Sequence, residues 1–218
     1  MHFEILVEDE SGKRMVEILA KKIVGDNHSV RVKSYKGLGR IPRNMGNDIK
    51  AIPNRLLLEQ LPKVLNGYGR TFKNQPDQYA VIVVCDLDDK CLKTFRKELI
   101  SVLDACREKP VTRFCIAVEE GEAWLLGDMD AIRTVFPRAD NAVLNRYTND
   151  SICNTWELLA DAIHHGGTAA LKKQGWQATG EAKSRWAEKI SVNIDVDRNL
   201  SPSFQYFRRK LRELIGES

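Results

Sequence analysis

Glu8, Asp86 and Asp88 combine the residue type and the placement that chemistry needs. Phe3-Glu4-Ile5-Leu6-Val7 breaks directly into Glu8-Asp9-Glu10-Ser11, and Val81-Ile82-Val83-Val84-Cys85 breaks into Asp86-Leu87-Asp88-Asp89. An apolar run of about five residues suits a strand buried on both faces of a parallel sheet. The acids then lie at strand carboxyl ends, where open α/β sheets hold their ligands. Carboxylates gathered there suit a hard divalent cation, Mg2+ foremost. Asp9, Glu10, Asp89 and Glu120 fit a plainer role, as acids favoured near helix N-termini by the macrodipole.

The elements that must position these acids alternate along the chain. After the first strand, Ser11 can cap a helix whose Met15, Ile18, Leu19 and Ile23 share one face, ending near Gly25. Ser29 to Tyr35 alternates polar and apolar residues, the pattern of a half-exposed strand near a sheet edge. A helix is expected over Arg55 to Leu65, with Pro62 kinking or ending it. Tyr79 to Cys85 forms the second buried strand, followed by a helix carrying Leu92, Phe95, Leu99, Val102 and Leu103. Arg113 to Val118 is a further strand, and it breaks into Glu119-Glu120-Gly121-Glu122-Ala123-Trp124. Such alternation predicts an α/β fold, a doubly wound, mostly parallel sheet with right-handed crossovers. The sheet domain is expected over 1–135. A helical C-terminal segment packed on it is expected over 136–218, with helices near Ile152 to Ile163, Glu181 to Ile190 and Pro202 to Ile215.

Lys36-Gly37-Leu38-Gly39-Arg40, with Arg43 close by, makes a glycine-punctuated basic loop able to contact phosphate. It lacks the spacing of a P-loop. Arg208, Arg209, Lys210 and Arg212 read as the solvated face of a helix burying Phe204, Phe207, Leu211 and Ile215. His164-His165-Gly166-Gly167 reads as a polar loop, since adjacent histidines point apart. Trp124, Trp156, Trp176 and Trp186 fall in helical patterns and read as core.

Composition bounds the rest. The 218 residues are 43% hydrophobic and 29% charged, ordinary globular usage that excludes disorder and fibrous folds. The five cysteines include no C-x-x-C pair, which argues against a disulfide framework or zinc knuckle. No apolar stretch approaches the roughly 18 residues of a membrane span, and no signal pattern opens the chain, so a cytoplasmic protein is expected. A net charge of +4 permits nucleic acid as a partner without demanding it.

A glutamate after the first strand and an Asp-x-Asp after a later one resemble the signature of the Toprim domain. That is the metal-binding catalytic fold of topoisomerases, primases, recombination-mediator proteins and the nucleases of the overcoming-lysogenization-defect family. The matching positions are Glu8 in Ile5-Leu6-Val7-Glu8, and Asp86 and Asp88 in Val84-Cys85-Asp86-Leu87-Asp88. Over nearly its whole length the chain also resembles a family of stand-alone Toprim-like proteins of similar size. The segments that carry this second resemblance are Ala117 to Trp124, Lys183-Ser184-Arg185-Trp186-Ala187 and Ser201-Pro202-Ser203-Phe204. The chain departs from topoisomerases at Lys90, where they often carry a third aspartate, and it has no winged-helix segment with a catalytic tyrosine. Primase-type zinc ligands are missing as well.

The resemblance therefore implies phosphodiester hydrolysis of DNA or RNA dependent on Mg2+ or Mn2+. In that scheme Asp86 and Asp88 are ligands, and Glu8 is a further ligand or the proton-transfer group. Glu122, with Glu119 one helical turn earlier, is the expected source of carboxylates for a second cation. Lys183, with Lys189 behind it, is expected to supply a cation to the transition state. Lys36, Arg40, Arg43 and Arg185 are the expected nucleic-acid contacts. The lysogenization-defect nucleases fuse an ATPase to Toprim, which implies a separate ATPase partner here, in phage defence or DNA repair. Two other readings remain open: a phosphoacceptor receiver-like signalling domain, and a catalytically silent Toprim-like interaction subunit.

Overall fold

The computed structural model describes residues 1–42, 56–151 and 154–217. It is an α/β protein with a doubly wound sheet of four strands, all parallel: β1 (His2–Val7), β2 (Ser29–Ser34), β3 (Tyr79–Asp86) and β4 (Thr112–Ala117). Their order is β2-β1-β3-β4. The chain therefore winds outward from β1 to β2 and then crosses back to β3, which puts the topological switch point between β1 and β3. Helix α1 (Glu10–Val24) joins the first pair, α2 (Leu57–Phe72) makes the return, and α3 (Leu92–Asp104) links β3 to β4.

Alternation along the buried strands builds two cores. Phe3, Ile5, Val7, Ile82, Val84 and Cys115 face α1 and the C-terminal helices, whereas Leu6, Val81, Val83, Phe114 and Ile116 face α2 and α3. The edge strand β2 is half exposed, as its polar alternation requires. After β4 the described chain is helical: α4 (Glu122–Leu126), α5 (Met129–Val135), α6 (Asn141–Leu144), α7 (Thr155–Ile163), α8 (Gly167–Lys173), α9 (Trp176–Asn193) and α10 (Pro202–Ile215). The last strand thus ends at Ala117. The helical layer is tied to it through Trp124, which is fully buried, stacks on Phe207 with centroids 4.9 Å apart and donates from Nε1 to Ser203 Oγ at 2.9 Å.

Three local expectations need correction. Asp9, not Ser11, caps α1: its carboxylate accepts from Gly12 N–H at 2.8 Å, and the Ser11 hydroxyl also donates to it at 2.8 Å. Pro62 does not end α2, which runs on to Phe72. A proline inside a helix costs about 3 kcal/mol, but Leu57, Leu58, Leu61 and Leu65 are buried on the same helix, and each such side chain contributes about 1.5–3 kcal/mol. Trp176 is 88% exposed at the start of α9 rather than in the core.

Candidate functional site

Parallel register brings the first two acid clusters together. Val7 lies beside Val84, and β3 continues two residues further to Asp86, which lies beside Ala117 at the end of β4. Glu8 and Asp86 thereby flank the switch point at the carboxyl edge of the sheet, where the two crossovers diverge and leave a crevice. A cavity of about 50 Å3 opens there, lined by Glu8, Asp9, Asp86, Gly121, Glu122 and Lys183 among others. The backbone N–H of Asp86 donates to the Glu8 carboxylate.

Electrostatics in this crevice are unbalanced. Burial, with the charges of Asp88 and Asp9, pushes Glu8 up to about 7 against the opposing pull of the Asp86 N–H and Lys90. Burial, followed by Glu8, Glu122 and Glu120, raises Asp86 well above the usual carboxylate range. Glu120 is pushed up to about 7, first by burial and then by Glu122, with Lys183 opposing. Lys183 Nζ lies 3.3 Å from Glu122 Oε1 and 3.5 Å from Glu120 Oε2. Burial disfavours its charge, but these two carboxylates and Asp86 outweigh it and hold the ammonium above its ordinary value. Asp86, Glu120 and Glu122 thus share the one largely buried Lys183 ammonium, while Lys90 is the cation acting on Glu8. Glu8 Oε2 is buried with no hydrogen-bond partner among the described residues.

Asp88 is outside the crevice lining, although its charge acts on Glu8. Its backbone adopts φ 51°, its N–H donates to Glu119 O at 2.9 Å, and its exposed carboxylate pairs with Lys90 at 2.6 Å. The left-handed turn ends the strand alternation that would have aimed Asp86 and Asp88 to the same side. Among the described residues no three Asp, Glu, His or Cys side chains already form a ligand cage. Asp88 is occupied by Lys90, and Glu122 by Lys183. The donor set nevertheless fits a hard cation: it is all oxygen, it carries excess negative charge, and one buried carboxylate oxygen is unpartnered.

Glu119 and Glu120 exchange the roles expected of them. Glu119 has φ 61° and precedes α4, so it shares no helical face with Glu122. Its carboxylate instead accepts from Asn154 N–H at 2.6 Å and Thr155 N–H at 2.8 Å, at the start of α7. Glu120, read as a plain helix-start acid, is the one turned to Lys183. Gly121 permits this crowding, since a Cβ there would stand 2.9 Å from Met15 Cε and 4.0 Å from Asp86 Oδ1. The signal in the sequence was the glycine set between acids in Glu119-Glu120-Gly121-Glu122.

The basic loop adjoins the crevice. Gly37 N–H donates to Glu8 O at 2.9 Å, and Lys36 and Arg40 project exposed from the same turn. Arg43 lies outside the described residues. Arg185 is exposed, and a two-residue offset on a helix turns it about 200° from Lys183, so it does not share Lys183's face. Lys189 is likewise exposed on α9.

Fold and site together define an α/β protein with an acidic crevice at its switch point, closed on one side by a lysine from the helical layer. The chain belongs to the family described as a domain of unknown function, DUF4276, whose model matches residues 7–212 and so spans every acid of the crevice. No curated protein and no solved structure matches it.

Proposed function

We propose that this protein is a divalent-metal-dependent nuclease of Toprim type, hydrolysing phosphodiester bonds at the β1/β3 crevice. The observation that carries the reading is the unpartnered Glu8 Oε2, buried beside Asp86 at the position where such sheets hold ligands. Glu8 and Asp86 would hold Mg2+ or Mn2+, with Asp88 joining once released from Lys90. When bound, such an ion polarises a phosphate and activates water for in-line attack. In place of ligation, Glu8, raised to about 7 before a cation binds, is the alternative proton-transfer group. Lys183 keeps its charge under burial and so can stabilise an anionic transition state. The exposed Lys36 and Arg40 supply the phosphate-contacting rim. An ATPase partner, in phage defence or DNA repair, is part of the same proposal.

The test is cleavage of single- and double-stranded DNA and RNA with Mg2+ or Mn2+, with and without EDTA. Wild type is expected to cut and to stop with EDTA, while Asp86→Ala and Asp88→Ala lose cleavage with the fold intact by circular dichroism. Variants that cut as well as wild type would exclude this crevice. Uptake of phosphate on Asp86 from acetyl phosphate would favour the receiver-like reading instead.

A further inference from the structure

The two edges of the sheet are finished differently. Along β2, exposed Arg31 and Lys33 dress the edge with charge, a usual defence against stray pairing. The β4 edge has no such alternation. Val111 and Ala117 turn their carbonyls to the β3 side, accepting from Val81 N–H at 2.8 Å and Leu87 N–H at 2.9 Å. Backbone groups alternate sides along a strand, so Arg113 and Cys115 also face β3, and Phe114 and Ile116 direct their N–H and C=O groups away from it. No side chain or loop among the described residues bonds to these outward groups. Their neighbours Thr112 and Val118 have carbonyls already taken, by Arg113 Nη1 and Glu120 N–H.

Beside this edge runs a groove of about 390 Å3 between α3 and α10, walled by Leu92, Phe114, Ile116, Val118 and Tyr206. Leu92 is 44% and Ile100 36% exposed, two of the few large apolar side chains left in solvent. The flanking charge is positive on balance: Arg96 and Arg113 make no ion pair among the described residues, Lys210 and Arg209 pair with Glu213, on which Arg113 also acts, and Asp150 in the groove lining is taken up by Ser201 Oγ and Ser203 N–H.

We propose that the β4 edge and this groove bind an extended segment of a partner protein, acidic and apolar in alternation, which adds a fifth strand beside β4. Each part of the surface selects that occupant. Outward N–H and C=O groups call for a strand, because a helix satisfies its own backbone and would leave them unpaired. The apolar walls take alternate side chains, and Arg96, which makes no ion pair among the described residues, takes a carboxylate. A second copy across a two-fold axis would bring the same positive flank to both sides of the interface, and apolar walls give nucleic acid no phosphate contact.

A short synthetic peptide alternating glutamate and valine serves as the probe, with fluorescence anisotropy for binding and amide hydrogen exchange for location. Saturable binding is expected, with slowed exchange at Phe114 and Ile116. Leu92→Glu, Ile100→Glu and Arg96→Glu alter exposed side chains only, and each is expected to weaken binding about tenfold or more. A lysine–valine peptide, or the same peptide N-methylated on alternate residues to block ladder bonds, should not bind. No saturable binding, unchanged exchange at Phe114 and Ile116, or equal binding of the N-methylated peptide overturns the proposal. A concentration-dependent dimer that Ile100→Glu dissociates would place a second copy there and overturn it too.

Discussion

The Lys183 ammonium lies 3.3 Å from the Glu122 carboxylate, joining the middle of α9 to the first residue of α4. Both side chains are largely buried, so the pair is costly to break from one side. Lys183→Met should destabilise the protein by about 3 kcal/mol at pH 8, because it strands Glu120 and Glu122 without a counter-charge. At pH 5, where Glu120 takes up a proton, the loss should shrink. Urea unfolding at the two pH values measures this, and equal losses would show that the ion pair is not the cause.

The raised acids fix the sign of the pH dependence. Glu8 and Glu120 rise from 4.5 to about 7 on folding, so the folded protein binds protons more tightly than the unfolded chain. Their penalty is absent below pH 4.5, grows as pH rises to about 7, and is constant above. In EDTA, stability should therefore fall across that window, and Glu8→Gln should flatten the fall. Mg2+ or Mn2+ should raise the melting temperature more at pH 8 than at pH 5, since carboxylate ligands must be deprotonated. A cation shift independent of pH would count against a site built on Glu8.

Gly127 offers a packing test away from the crevice. A Cβ there would stand 2.1 Å from Asn199 Oδ1, and the amide of Asn199 donates to Trp124 O at 2.8 Å. Gly127→Ala should cost about 2 kcal/mol, the scale of forced overpacking, measured by chemical denaturation. Gly121→Ala meets only the flexible end of Met15 first and should cost less.

Much of the fold was legible because burial on both faces leaves an unbroken apolar run and a half-exposed edge leaves alternation. All four strands follow those patterns, and α10 begins at Pro202 behind a Ser201 cap as its residues indicate. The approach of Glu8 to Asp86 was legible for the same reason, since both directly end buried runs. What stayed hidden depends on partners distant in sequence. Whether Glu119 or Glu120 faces Lys183 is decided by one positive φ and by the start of α7, neither written in local pattern. The short helices α4, α5, α6 and α8 complete too few turns for periodicity to show. Pro62 misled because local cost was read without the burial that offsets it.

Glu119 joins the end of β4 to α7 through two hydrogen bonds, from a backbone angle that suits glycine. A side chain in that region costs about 1–2 kcal/mol, so the capping contact works against its own backbone. Glu119→Gly would relax the turn and release the helix, seen as faster amide exchange at Asn154 and Thr155. Position 119 thus behaves as a rivet: the helical layer cannot slide along the sheet without shearing both bonds at once.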